Sequence, residues 1–175
     1  FARRPWTDES FREVLADGVE TFGRPDTPAH FAEQREAFIY HQSDFGDAYG
    51  YLKVKQRLEE IDRTRGTAGN RIFYLATPPS AYSLILKNLA AAGLSSEQGD
   101  RFSRVIVEKP FGRDSASFAE LNAGTSGIFR ESQLFRIDHY LGKELVMNVL
   151  VLRFGNAIFE AVWSRRFVER VEICC

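Results

Sequence analysis

Apolar positions change their rhythm along this chain of 175 residues. From Trp6 to about Ile61 they are sparse, separated by charged residues and broken by Gly23, Pro25, Pro28, Gly46 and Gly50. Phe11, Val14 and Leu15 share one helical face behind Thr7 or Asp8, which predicts a capped surface helix. Leu52, Leu58 and Ile61 predict a second, and Arg57-Leu-Glu-Glu-Ile-Asp-Arg63 has the charge spacing of a solvated helix face. At Gly69-Asn70 the pattern changes. Ile72-Phe-Tyr-Leu-Ala76 is a continuous apolar run closed by Pro78-Pro79, the signal of a strand buried on both faces. A helix is expected from Ser80 through Leu84, Ile85 and Leu89 to a stop near Gly93. Val105-Ile-Val107 repeats the strand signal, the turn Glu108-Lys-Pro-Phe-Gly112 follows, and Asp114 or Ser115 opens another helix through Phe118 and Leu121. Gln133 to Ile137 reads as a third strand, Leu145 to about Phe154 as a long apolar helix, and Val168 to Cys175 alternates like a further strand.

Alternating strands and helices describe an α/β chain, and in open sheets of that class ligands sit beyond the carboxyl ends of the strands. Three segments occupy such ends: Thr77-Pro-Pro79, Glu108 to Gly112, and Asp138 to Lys143. In the last, Asp138, His139, Tyr140 and Lys143 bring an acid, an imidazole, a phenol and an ammonium within six residues at the start of a helix. A full positive charge, two hydrogen-bond donors and a helix N-terminus suit a phosphate or carboxylate. The competing reading makes Asp138 a helix cap, His139 and Tyr140 packing residues and Lys143 a solvated cation. Lys109 precedes Pro110, which disfavours helical geometry and aims the lysine at the crevice; an exposed lysine before a turn is the other reading. The Thr77 loop has no side chain of obvious reactivity, but its backbone can line a cofactor with Tyr82 beside it. Arg3 and Arg4 follow what reads as the tail of a strand, and either receive a phosphate or are solvated.

Composition narrows the classes. The net charge is −1, with 44% hydrophobic and 27% charged residues, which excludes a disordered chain and gives no basic excess for a nucleic-acid partner. Fifteen Phe demand a packed interior. Cys174 and Cys175 are read as reduced thiols of a cytoplasmic protein, and His30, His41 and His139 are too scattered for a metal site. There is no apolar run of membrane-spanning length. Neither a Gly-x-Gly-x-x-Gly nor a Gly-x-Ser-x-Gly motif occurs.

Arg136-Ile-Asp-His-Tyr-Leu-Gly-Lys-Glu144 closely resembles the signature of the glucose-6-phosphate dehydrogenase family. The resemblance continues through Leu152-Arg-Phe-Gly-Asn156, Ile158-Phe159 and Trp163, and is preceded by Val107-Glu-Lys-Pro-Phe-Gly-Arg113 and Phe73-Tyr-Leu-Ala-Thr-Pro-Pro79. It implies oxidation of glucose 6-phosphate at C1 by NADP. By position, His139, Tyr140 and Lys143 would bind the substrate phosphate, Lys109 would lie between substrate and nicotinamide, and Asp138 would orient the catalytic histidine. Arg3 would meet the adenosine 2′-phosphate, and Tyr82 would belong to the cofactor wall.

The fold implied is an incomplete Rossmann-type, doubly wound parallel sheet followed by the beginning of an α+β substrate domain. Residues 1–137 would form the NADP-binding domain without its glycine-rich first strand-turn-helix, and residues 138–175 the start of the substrate domain. The chain reads as a fragment, since the family's catalytic histidine belongs to a segment beyond Cys175. The fragment alone is expected to be inactive, and the full-length enzyme to be a homo-oligomer. A non-catalytic sugar-phosphate-binding module is the alternative.

Overall fold

A computed structural model describes all residues except 112, 113, 117, 118, 120, 121, 124–126 and 173–175. Helix α1 (Asp8–Phe22) starts where predicted: Thr7 Oγ1 accepts the Ser10 amide at 3.2 Å, and Ser10 Oγ accepts the Thr7 amide at 2.9 Å. This reciprocal cap satisfies two donors that have no partner inside the helix. A second helix, α2 (Thr27–Gln34), was not expected from the sequence, which reads Pro25 and Pro28 as breaks. Pro28 lies in its first turn, where a missing amide proton costs nothing.

Helix α3 (Ala48–Arg65) is capped by Asp47, whose Oδ1 accepts the Tyr49 amide at 3.0 Å, and ends at Gly66 with φ +67°. Its packed face is rotated from the predicted one. Tyr51 is buried, with Val54 and Leu58 packed beside it, whereas Leu52 is exposed. Ahead of α3, Ala2 and Gln42 form a parallel bridge through Ala2 N to His41 O and Ser43 N to Ala2 O, each 3.1 Å.

Strands β1 (Arg71–Leu75) and β2 (Ser103–Glu108) are parallel, with Arg71 opposite Ser103 and Leu75 opposite Val107. Strand β3 (Leu134–Ile137) completes the order β1-β2-β3. Helix α4 (Tyr82–Ala91) connects β1 to β2, and the chain turns out of it at Gly93 with φ +74°. The core unites Tyr51 of α3, Leu75 of β1, Ile85, Leu86 and Leu89 of α4, and Val105 and Val107 of β2. Gln133 is buried beneath it, donating to Ser95 O at 3.0 Å and Ser103 O at 2.8 Å and accepting the Arg130 amide at 3.0 Å.

Two expectations are corrected. Strand β1 is buried on one face only: Phe73 and Leu75 join the core while Ile72 and Tyr74 point outward, because neighbouring strand residues face opposite ways and α3 and α4 supply the core on one side. Residues 168–172 are irregular rather than a strand, since alternation makes a strand only where a neighbour takes the backbone hydrogen bonds. Of the helix predicted to open at Asp114 or Ser115, Ser115, Ala116, Ala119, Asn122 and Ala123 are helical, whereas Phe118 and Leu121 lie outside the described residues, as do Cys174 and Cys175. The last helices are α5 (Glu144–Phe154) and α6 (Ala157–Val162). The chain divides into two compact units, Phe1–Phe135 and Arg136–Cys175. Its architecture is α/β, with a partial Rossmann-like arrangement in the first unit.

Candidate functional site

In the first unit the chemistry-bearing groups follow the carboxyl ends of extended segments. After the Ala2 bridge, the exposed Arg3 guanidinium lies 5.8 Å from the Phe45 ring centre, and both residues line an open recess. Arg4 instead stacks over Trp6 at 5.0 Å, and its carbonyl accepts the Tyr40 hydroxyl at 2.8 Å. After β1, Thr77 Oγ1 is buried without a hydrogen-bond partner among the described residues. Such an orphan is costly unless a ligand or water answers it, which gives the Thr77 loop a polar group that the sequence reading passed over.

The end of β2 is held twice. The Tyr74 hydroxyl bonds the Glu108 carboxylate, and the Tyr82 hydroxyl donates to the Glu108 carbonyl at 3.1 Å. Burial pushes the Tyr82 phenol above its ordinary pKa; for Tyr74 the bond to Glu108 does so first. Tyr82 is only 1% exposed, so its phenol serves as a strut between α4 and β2. Directly after Glu108 comes Lys109, and the Lys109-Pro110 peptide is cis. No local sequence pattern announces the two phenol partners of Glu108.

In the second unit a short loop gathers the remaining predicted residues. Asp138 Oδ1 accepts the Tyr140 amide at 3.0 Å, and the Asp138 carbonyl accepts the Leu141 amide at 3.1 Å. A further turn closes from Lys143 N to Tyr140 O at 3.2 Å. Lys143 occupies the cap position of α5, its carbonyl accepting the Val146 and Met147 amides at 3.0 Å. The helix cap is therefore Lys143, and Asp138 shapes the loop that leads to it. The Lys143 ammonium lies 4.3 Å from the centre of the Tyr140 ring, a cation–π pair. His139, Tyr140 and Lys143 are all exposed. One loop thus presents an imidazole, a phenol and an ammonium to solvent at the positive end of a helix, the chemistry that an oxyanion needs.

Residues 1–148 match the sequence model of the NAD-binding domain of glucose-6-phosphate dehydrogenase. The chain belongs to the glucose-6-phosphate dehydrogenase family. Glucose-6-phosphate 1-dehydrogenase 2 of Mycobacterium tuberculosis (strain ATCC 25618 / H37Rv) is 42% identical over 174 residues, which are 99% of this chain and 34% of that protein. The glucose-6-phosphate 1-dehydrogenase of Leuconostoc mesenteroides is 38% identical over 172 residues, 98% of this chain and 35% of its own. Among solved structures, a glucose-6-phosphate dehydrogenase in complex with its substrate glucose 6-phosphate aligns with TM-score 0.77 and 37% identity, covering 94% of this chain and 34% of that one. The Mycobacterium avium enzyme aligns with TM-score 0.74 and 32% identity over the same shares. The chain spans about a third of the length of the curated relatives it matches. Family membership agrees with the sequence resemblance, and the matched domain is one for a nicotinamide dinucleotide. Among the described residues no helix is long and apolar enough to cross a membrane, and no group of three His, Cys, Asp or Glu side chains is arranged to hold a metal ion.

Proposed function

We infer that this chain is the cofactor-binding part, and the first stretch of the substrate-binding part, of an enzyme that oxidises C1 of glucose 6-phosphate with NADP. The observation that carries the reading is the family match, which runs unbroken through the His139-Tyr140-Lys143 loop into α5. His139, Tyr140 and Lys143 hold the substrate phosphate. Charge-assisted hydrogen bonds of this kind contribute roughly 1.5–3 kcal/mol each, so remote phosphate binding can orient C1 for reaction. Lys109 lies between substrate and nicotinamide and polarises the C1 oxygen, while Asp138 orients the histidine that takes the C1 hydroxyl proton.

Groups of this chain fit part of a dinucleotide. The orphaned Thr77 Oγ1 offers a hydrogen bond at the end of β1, and exposed Arg3 offers a charge that suits the 2′-phosphate of NADP. Tyr82 serves the cofactor wall from beneath, through the Glu108 carbonyl that it holds. A nicotinamide held there would supply the acceptor for the hydride leaving C1. The same reading makes the whole enzyme a cytoplasmic homo-oligomer.

Two measurements test it. The 175 residues alone should give no glucose-6-phosphate-dependent reduction of NADP, because none of His30, His41 and His139 stands where the resemblance puts the base. Turnover by them would overturn that assignment. Glucose 6-phosphate should reduce NADP when added to the polypeptide encoded by the open reading frame that contains these residues, and Lys143→Ala there should raise the KM for the phosphorylated sugar about tenfold or more. Phosphate-dependent sugar binding without turnover in that polypeptide would favour a non-catalytic sugar-phosphate-binding module instead.

A further inference from the structure

The amino ends of β1 and β2 carry charged groups that the proposed reaction does not use. Arg71 opens β1 and Ser103 opens β2, opposite each other in the register. Beside them lies a recess of about 220 Å³. Its charged lining comprises Lys55, Arg71 and Arg101 against Glu59 and Asp62, a balance of 3 − 2 = +1.

Two of those charges are consumed by each other. Asp62 meets the Arg71 guanidinium with both carboxylate oxygens, bonds the Thr67 hydroxyl and accepts the Gly69 amide at 3.0 Å. Arg71 spends further protons on Asn70 O at 2.9 Å and Leu58 O at 3.2 Å. What is left is Lys55 and Arg101 against Glu59, which is exposed. Among the described residues, neither the Lys55 nor the Arg101 side chain has a hydrogen-bond or ion-pair partner.

Bare backbone makes room for both cations. A Cβ on Gly93 would stand 3.5 Å from Lys55 Nζ, and one on Gly69 would stand 2.7 Å from Arg101 Cδ. Both glycines have positive φ, +74° and +79°, which other residues rarely adopt. Gln98 adds an amide to the same lining. Two cations without partners and a neutral donor, in a polar recess of net positive charge, call for an anion with several oxygens. A single carboxylate satisfies one of the cations well; a phosphate dianion has oxygens and charge for both.

We propose that this recess binds a small phosphate dianion, either inorganic phosphate or the phosphoryl group of a phosphomonoester. The test uses the 175-residue chain in phosphate-free buffer, following the Gly69 and Gly93 amide resonances by NMR. Sodium phosphate and glycerol 3-phosphate are added in separate titrations, with sodium chloride at matched ionic strength as control. At least one phosphate should give saturable shifts with a dissociation constant on the order of 1 mM. Saturation by both identifies the bare dianion as sufficient, and saturation by the ester alone identifies an organic phosphate as the ligand. Lys55→Gln and Arg101→Gln should each weaken binding about tenfold, and Glu59→Gln should tighten it a few-fold by removing the opposing charge. Shifts that rise linearly, that chloride reproduces, or that all three variants leave unchanged overturn the proposal. Lys55 and Arg101 are not core residues, so the variants are expected to keep the fold.

Discussion

Helices α4 and α5 are almost equally hydrophobic, yet they meet opposite fates. Helix α4 buries Tyr82, Ile85, Leu86 and Leu89 against the sheet. Helix α5 buries none of its residues, and Leu145, Val151 and Phe154 stand 78%, 60% and 61% exposed. The difference lies in how the apolar residues are arranged. In α4 the buried residues form a stripe on one face, with Leu84 and Lys87 exposed on the other, so one packed side satisfies the helix. In α5 they run all round, and a helix of that kind requires apolar neighbours on every side. A hydrophobic composition specifies a helix in both cases; only a stripe specifies how one surface is to be covered.

Breaking the first side of this comparison should have the largest effect. Leu86 is 1% exposed within the α4 and sheet core, so Leu86→Ala removes buried methyl groups and leaves a cavity. Destabilisation of about 3–4 kcal/mol is expected in denaturant unfolding followed on the first unit. A loss below about 1 kcal/mol would show that α4 does not hold the sheet as described.

A second prediction concerns the tether between α3 and β1. Both side chains of the Asp62–Arg71 pair are largely shielded, and Asp62→Asn should cost about 2 kcal/mol. The Arg71 hydrogen bond, followed by those from Thr67 and Gly69, holds the Asp62 carboxyl well below the usual carboxylate range. Since the folded pKa is lower than the unfolded value of about 3.9, the stabilisation is complete above that pH and fades as pH falls through the folded value. Acid unfolding curves of wild type and Asp62→Asn should therefore converge below about pH 4. A gap that stays constant into strong acid would assign the Asp62 effect to packing.

These two cases also mark what is legible without coordinates. The βαβ order, the ends of α4 and the polar loop before α5 follow from periodicity and turn residues, because local backbone preferences and strand alternation decide them. The two phenols on Glu108, the orphaned Thr77 hydroxyl and the Asp62 to Arg71 pair are different. The Tyr74 bond to Glu108 depends on the register that sets Tyr74 opposite Ile106, and the Asp62 pair on how the end of α3 turns back onto β1; neither is written in any one segment. Helix α2 was passed over because proline is a break inside a helix and a good start at its first turn, and the sequence alone favoured the first sense. The loop from Asp138 to Lys143 is legible as a polar cluster before a helix, but only the coordinates place the cap at Lys143, since the competing reading offers the Asp138 carboxylate for it.

A smaller effect is expected where the core meets the predicted site. Tyr82→Phe keeps the buried ring and removes only the hydrogen bond to the Glu108 carbonyl, for a loss of about 1 kcal/mol. The loosened end of β2 should also show in faster hydrogen exchange at Lys109 than at Val105. Equal rates in wild type and variant would mean that the phenol does not hold that strand end.

The smallest effect belongs to α5 and sharpens the comparison from its other side. Leu145 is 78% exposed in the first turn of the helix, so Leu145→Ala removes no buried surface and replaces a good helix former by a slightly better one. Its stability should stay within about 0.5 kcal/mol of wild type. The amides of α5 should exchange with solvent far faster than those of α4, because eleven residues are too few for a helix to persist in water without tertiary support. In contrast to Leu86→Ala, the change at Leu145 leaves no cavity to collapse. A loss of 2 kcal/mol or more, or α5 amides as protected as those of α4, would mean that the apolar circumference of α5 is covered in solution. In that case the stripe in α4 would no longer explain why one helix has an interior and the other does not.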